Sequence, residues 1–165
     1  LVSFAKGITS GVVPMGAVLV DQRIYEACVS ASGFQEQAVE FFHGYTYSGH
    51  PASCAAGIAT LDIYRNEDLF ARGRALSPYF QDAIFGLKYL AVVADIRGYW
   101  MMAAIDVHAD GMPGKRGHLL QKKLFDNGLH LKTTGDCAIL APPLIAERSH
   151  IDMIADILRK TLKSL

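Results

Sequence analysis

An α/β chain giving way to a small α+β lobe is what the sequence predicts, and three observations predict it. Two short runs, residues 1–5 (LVSFA) and 16–20 (GAVLV), are apolar on both faces, as the central strands of a covered sheet are. Strand-like and helix-spaced stretches then follow in the order helix, helix, strand, helix, hairpin, helix. Charge is also uneven: residues 1–60 hold 6 charged side chains and residues 61–165 hold 26. The first part reads as the buried interior of a larger body, the second as an ordinary two-faced domain. A boundary is therefore expected near residue 66, dividing 1–66 from 67–165. The opening LVSFAKG, without an initiator Met, suggests a fragment of something longer.

The elements are justified in order. Residues 6–15 (KGITSGVVPM) join the two apolar runs and hold Gly7, Gly11 and Pro14, so they are expected to be loop. Residues 23–32 have weak helical character, and residues 33–42 read as linker. Pro51 fits the first position of a helix, with Ser48 and His50 as capping candidates. That helix is lined with Ala52, Ser53, Ala55, Ala56, Gly57 and Ala59, small residues suited to close backbone approach. A second helix is expected from Asn66–Asp68 to about residue 87, irregular at Pro78. Strands at 92–96 and 101–107 are expected to split at Arg97-Gly98. An amphipathic helix at 117–127 closes on Gly128. Residues 129–132 and 137–140 form a hairpin about Thr133–Asp136, and Ser149…Asp152 resembles a capping box opening a last helix with Ile151, Ile154, Leu158 and Leu162 on one face.

Composition excludes several classes. The chain has 165 residues, one domain's worth, with 16 basic and 16 acidic side chains and a net charge of zero. With no Lys/Arg run it offers no footprint for nucleic acid or an anionic membrane. At 51% apolar, 19% charged and a mean hydropathy of +0.21 it is not disordered. No apolar stretch reaches membrane-spanning length. Three scattered cysteines make neither a disulfide framework nor a zinc site, so a reduced, cytoplasmic compartment is expected. The six histidines lack metal-ligand spacing, and neither a Walker A nor a G-x-G-x-x-G motif occurs.

Three places could carry chemistry. Lys6 lies between two runs that ought to be buried. A buried, unpaired ammonium loses its proton readily, which Schiff-base chemistry needs, whereas a lysine at a strand end can equally snorkel to solvent. In HGYTYSGHP (43–51), Thr46, Tyr47 and Ser48 at the mouth of a helix could cradle a phosphate, or simply begin a capped helix. Lys132 is a lone cation at a hairpin edge, ordinarily a solvated surface charge. Cys54 is expected to pack.

Together FAKGITSG (4–11), PMGAVLV (14–20), HGYTYSGHPASCAAG (43–57), ADIRG (94–98) and GDCAILAPPL (135–144) resemble the class III pyridoxal-phosphate-dependent aminotransferases, nearest the omega-amino acid or amine:pyruvate branch. The resemblance implies PLP fold type I, with residues 1–66 ending the large cofactor domain and 67–165 forming the small C-terminal domain. It implies that Lys6 is the Schiff-base lysine and proton carrier. Thr46 would bind the PLP phosphate of the neighbouring subunit, giving a homodimer or dimer of dimers. The reaction implied takes nitrogen from an amino donor and gives it to a keto acid such as pyruvate. Lys132 falls where amine:pyruvate members often have an arginine that grips the substrate carboxylate. A lysine there is a point charge where arginine is a fork. Trp100 falls where the family usually has a small residue, often glycine. The family's upstream cofactor-binding residues are absent, so this polypeptide alone is expected to be inactive and its apolar first third to aggregate. The alternatives are a diamine or ornithine-type transaminase, an aminomutase, or a non-catalytic dimerisation module.

Overall fold

The computed structural model describes residues 1–31 and 43–165, so the linker expected at 33–42 lies outside the described residues. The chain divides into two compact units, Leu1–Glu67 and Asp68–Leu165.

In the first unit β1 (Val2–Ala5) pairs antiparallel with β2 (Gly16–Leu19), Val2 opposite Leu19 and Ala5 opposite Gly16. These strands pair only with each other and every residue of β1 is exposed, so the covered sheet expected from the apolar runs is not formed by the described residues. The pattern records an environment that these two strands do not provide for themselves. The join is not all loop: residues Lys6–Thr9 make one 3-10 turn. Such a turn needs only i→i+3 bonds and accommodates Gly7. Thr9 Oγ1 donates to Val13 O (2.7 Å), and Tyr64 Oη donates to Gly7 O (2.7 Å). Helix α1 (Gln22–Ala31) begins after Asp21, whose carboxylate accepts from the Arg23 N–H at 3.0 Å. Helix α2 (Pro51–Asn66) has Pro51 at its first position and His50 as its cap, Nδ1 accepting from the Ser53 N–H at 3.3 Å. The expected close approach occurs at Gly57, where an added Cβ would lie 3.4 Å from Met15 Sδ and 3.7 Å from Ile8 O.

The second unit is a four-stranded antiparallel sheet with one face covered by helices. Helix α3 (Leu69–Phe85) runs through Pro78 unbroken, with the proline on its exposed side. Strands β3 (Val93–Tyr99), β4 (Met102–Val107), β5 (Lys132–Thr134) and β6 (Cys137–Leu140) lie in the order β3-β4-β6-β5. Helices α4 (Lys115–Asp126) and α5 (Arg148–Lys163) complete the layer. Phe80, Ile84, Ile105, Leu120, Leu124, Ile151 and Leu158 are fully buried between helices and sheet.

Three local expectations are corrected. The β3–β4 turn is at Trp100-Met101, and Arg97-Gly98 lies inside β3. Gly98 is needed for close approach rather than for a turn, since an added Cβ would meet Gln81 Oε1 at 1.9 Å. Helix α4 starts two residues before Gly117, and Gly128 ends it in the left-handed region at φ +87°, as expected. The cap of α5 is Glu147, not Ser149: its N–H donates to His150 Nδ1 at 3.0 Å, and its carbonyl accepts from Ile151.

Candidate functional site

Lys6 follows β1 and begins the 3-10 turn at φ +56°, and its carbonyl accepts from the Gly11 N–H at 3.2 Å. The turn is anchored to α2 by the Tyr64–Gly7 bond. A lysine in the left-handed region is uncommon and is held there by its surroundings. Its side chain is exposed, and no carboxylate among the described residues pairs with it. Of the two readings of Lys6, buried amine or strand-end lysine reaching solvent, the described residues show the second, and the strands beside it are themselves uncovered.

Residues 46–49 form a turn closed on both sides. The Ser48 N–H donates to Tyr45 O (2.9 Å), Ser48 Oγ accepts from the Tyr45 N–H (2.8 Å), and the His50 N–H donates to Tyr47 O (3.2 Å). Gly49 supplies the left-handed residue at φ +69°. This occupies the acceptor side of the Ser48 hydroxyl, while the Thr46 hydroxyl has no hydrogen-bonding partner among the described residues and is exposed. A cleft of about 460 Å³ lies beside the turn, bounded by Pro14, Met15, Tyr47, His50, Ser53 and Cys54. Cys54 is half-buried. Lys6 and Thr46 belong to the same unit but share neither a hydrogen bond nor this cleft. The donor set suits a phosphate-bearing aldehyde: a primary amine without an ion-pair partner, and a hydroxyl with its proton free at a turn.

Lys132, the first residue of β5, is in the second unit. Register places it in a row across the sheet: Arg97 opposite Ala104, Ala104 opposite Ile139, Ile139 opposite Lys132. The row lies on the face away from the helices, with a cation at each end. Arg97 is engaged, donating to Asp106 and Asp95. These bonds hold the Asp106 carboxyl below its ordinary value and raise Arg97. Beside them, burial and then Asp106 push the Cys137 thiol up to about 11. Lys132 has no such partner among the described residues.

Two positioning groups were not singled out by sequence reasoning. Asp136, in the β5–β6 turn, accepts from the N–H groups of Gly114 and Gly117 at 2.8 Å each, capping α4 from across the fold. Those bonds hold its carboxyl below the usual range. Gln81 donates from one Nε2 to Trp100 O (2.7 Å) and Met102 O (2.9 Å), fastening the β3–β4 turn to α3. The Gly-Asp pair in GDCAIL was the available signal for the first; nothing local marks Gln81.

A family model described as aminotransferase class-III matches residues 1–162. The omega-aminotransferase of Caulobacter vibrioides is 42% identical over 163 residues, covering 98% of this chain and 36% of that protein. The beta-alanine–pyruvate aminotransferase of Pseudomonas aeruginosa is 36% identical over 166 residues, covering 100% of this chain and 37% of its own length. An amine transaminase from an uncultivated Pseudomonas species, solved in its PLP-bound form, superposes with a TM-score of 0.83 at 33% identity, covering 98% of this chain and 38% of that one. The chain thus spans a little over a third of the length of these relatives. No helix among the described residues is long and apolar enough to cross a membrane.

Proposed function

This chain belongs to the aminotransferase class-III family, and from that premise we propose that it carries the reactive lysine of a cytoplasmic transaminase moving an amino group from an omega-amino acid or amine to a keto acid such as pyruvate. One observation carries the reading: the matched stretch includes Lys6, presented as an unpaired primary amine on a constrained turn at a strand end. Residues 1–66 end the cofactor domain and 67–165 form the small domain.

PLP, when bound, supplies the electron sink for the carbanion left when the substrate's α-carbon loses its proton. The remaining work falls to side chains. Lys6 Nζ would hold the cofactor, and as a free amine the same Nζ would take the proton from the substrate's amine-bearing carbon and give it up again, so a single base would serve both transfers. Thr46 donates its hydroxyl and backbone N–H to the phosphate bound by the neighbouring subunit, which makes a homodimer or dimer of dimers the working assembly. Lys132 attracts a carboxylate of donor or acceptor as a single charged donor. The sum balances without an external oxidant: amine and keto acid become carbonyl product and amino acid.

The test is reductive trapping in the full-length gene product. PLP is added, borohydride fixes the adduct, and peptides are read by mass spectrometry. Selective pyridoxyl mass on Lys6 is expected; mass scattered over exposed lysines, with Lys6 no more labelled than the rest, sinks the reading.

A further inference from the structure

A lysine ammonium satisfies one carboxylate oxygen well, because its donors radiate from one atom; a guanidinium meets both oxygens at once. With Lys132 as the charge, a bound carboxylate would keep its second oxygen unmet unless a neighbour supplies a donor. The structure provides one at His130. Exposure alternates along the segment: His130 and Lys132 are exposed and Leu131 between them is buried. His130 lies two residues before Lys132, the start of β5, so the two Cα atoms are at most ~7 Å apart, a gap two flexible side chains close readily.

Both residues line one cleft of about 510 Å³ in the second unit, together with Ile139, Pro142, Pro143 and Ile154. No acidic residue lines it. The nearby carboxylates Asp95 and Asp106 are engaged by Arg97. The imidazole stands edge-on to the Phe125 ring, centroids 5.9 Å apart at 81°, which orients it. Neither of its ring nitrogens is hydrogen-bonded to another described residue. The backbone beneath is fixed as well: Gln121 Nε2 donates to Leu131 O (3.3 Å), and Thr133 Oγ1 donates to Gln121 Oε1 (2.9 Å). Two donors on a rigid segment, facing apolar walls, suit a ligand with a carboxylate at one end and methylenes behind it.

We propose that His130 is a specificity-determining residue, donating to the second oxygen of the carboxylate that Lys132 attracts, while Ile139, Pro143 and Ile154 cover the adjoining aliphatic chain. This deepens the role given to Lys132 above and rests on that reading. Its consequence is a preference for donors with an aliphatic carboxylate over amines without one.

Two measurements on the full-length gene product decide it. In the first, diethyl pyrocarbonate labelling of His130 is followed by peptide mass, with butyrate or butylamine added. Butyrate is expected to slow labelling at His130, butylamine to leave it unchanged, and Lys132→Ala to remove the protection. Equal protection by butylamine, or none by butyrate, overturns the proposal. In the second, KM is compared for β-alanine and for butylamine as donor. His130→Leu is expected to raise the β-alanine KM about tenfold, the scale of one hydrogen bond to a charged group. At saturating keto acid its KM for butylamine should stay near wild type, and His130→Gln, which keeps an N–H donor, should restore most of the loss. A uniform change with both donors would make His130 merely structural. If Lys6 proves not to carry PLP, the function proposed above falls, whereas the butyrate footprint still decides the role of His130.

Discussion

Gly73→Ala and Trp100→Gly form a double-mutant cycle whose coupling follows from three distances. A Cβ on Gly73 would lie 2.9 Å from Cζ2 and 3.3 Å from Cη2 of Trp100, and 3.0 Å from Cδ2 of Leu144. Carbons settle ~3.5–4.0 Å apart, so the indole must retreat by about half an ångström or more. It has little freedom to do so, because its backbone sits at φ +54° and its carbonyl is held by Gln81. Overpacking of this kind costs ~1–3 kcal/mol, and replacing a helical Gly by Ala returns about 1 kcal/mol. Gly73→Ala alone is therefore expected to destabilise by roughly 0–2 kcal/mol. In the Trp100→Gly background only the flexible tip of Leu144 remains in the way, so the same change should be neutral or stabilising by up to about 1 kcal/mol. The coupling is then ~1–3 kcal/mol, well outside the ~0.3–0.5 kcal/mol scatter of independent sites. Urea unfolding of the four proteins measures it, read by far-ultraviolet circular dichroism because Trp100 is the sole tryptophan. Additivity within that scatter would refute the claim that Gly73 exists to seat the indole.

Gln81→Leu should cost ~1–3 kcal/mol by stripping two carbonyls of their donor, and should speed amide exchange at residues 99–102; unchanged exchange there contradicts the fastening role. For Asp136 the folded-state pKa lies below the unfolded value of 3.8, so its contribution is complete above that value and lost as pH falls through the folded one. Asp136→Asn should thus lower Tm at pH 7 and flatten the decline of Tm with acid; parallel acid limbs would argue against the cap. With the Cys137 thiol pushed up to about 11, iodoacetamide at pH 8 should alkylate exposed Cys28 well before Cys137, an order that peptide mapping reports and whose reversal would refute the shielding.

Most of what is local was legible in the residues. Pro51 after a histidine cap, Gly128 closing α4, and the 151/154/158/162 spacing of α5 are signals a chain segment carries within itself. What was misread depended on partners distant in sequence. Arg97-Gly98 looked like a turn because glycine permits one, but Gly98 is there to let the Gln81 amide, 17 residues away, reach the strand. Ser149 looks like the α5 cap because its hydroxyl is the better-known acceptor, whereas the cap is Glu147, whose N–H donates to the His150 ring three residues further on. The apolar runs around Lys6 suit a covered sheet that the described residues do not form. Hydrophobic pattern states what a strand is suited to pack against, not whether the described residues supply it.

That distinction separates the two units physically. Residues Asp68–Leu165 seal one sheet face with three helices, and the seal sets the opposite face. Asp136 ties the β5–β6 turn to α4, Gln121 of α4 ties down Leu131 and Thr133, and β5 can then meet β6 only with Lys132 opposite Ile139. Slipping by one residue would turn Lys132 inward and Leu131 outward, exchanging a solvated cation for a buried methyl cluster, which the sheet's period of two forbids. The position of Lys132 is thus fixed by the core beneath it. In Leu1–Glu67 only Thr9, Gly57 and Thr60 are buried among the described residues, too little apolar surface to offset the entropy of ordering the segment. The geometry of Lys6 rests instead on a few hydrogen bonds, chiefly Tyr64 to Gly7. Whatever covers β1 and β2 will therefore act directly on the environment of that amine, whereas the carboxylate end of the proposed chemistry stands on a core the chain already contains.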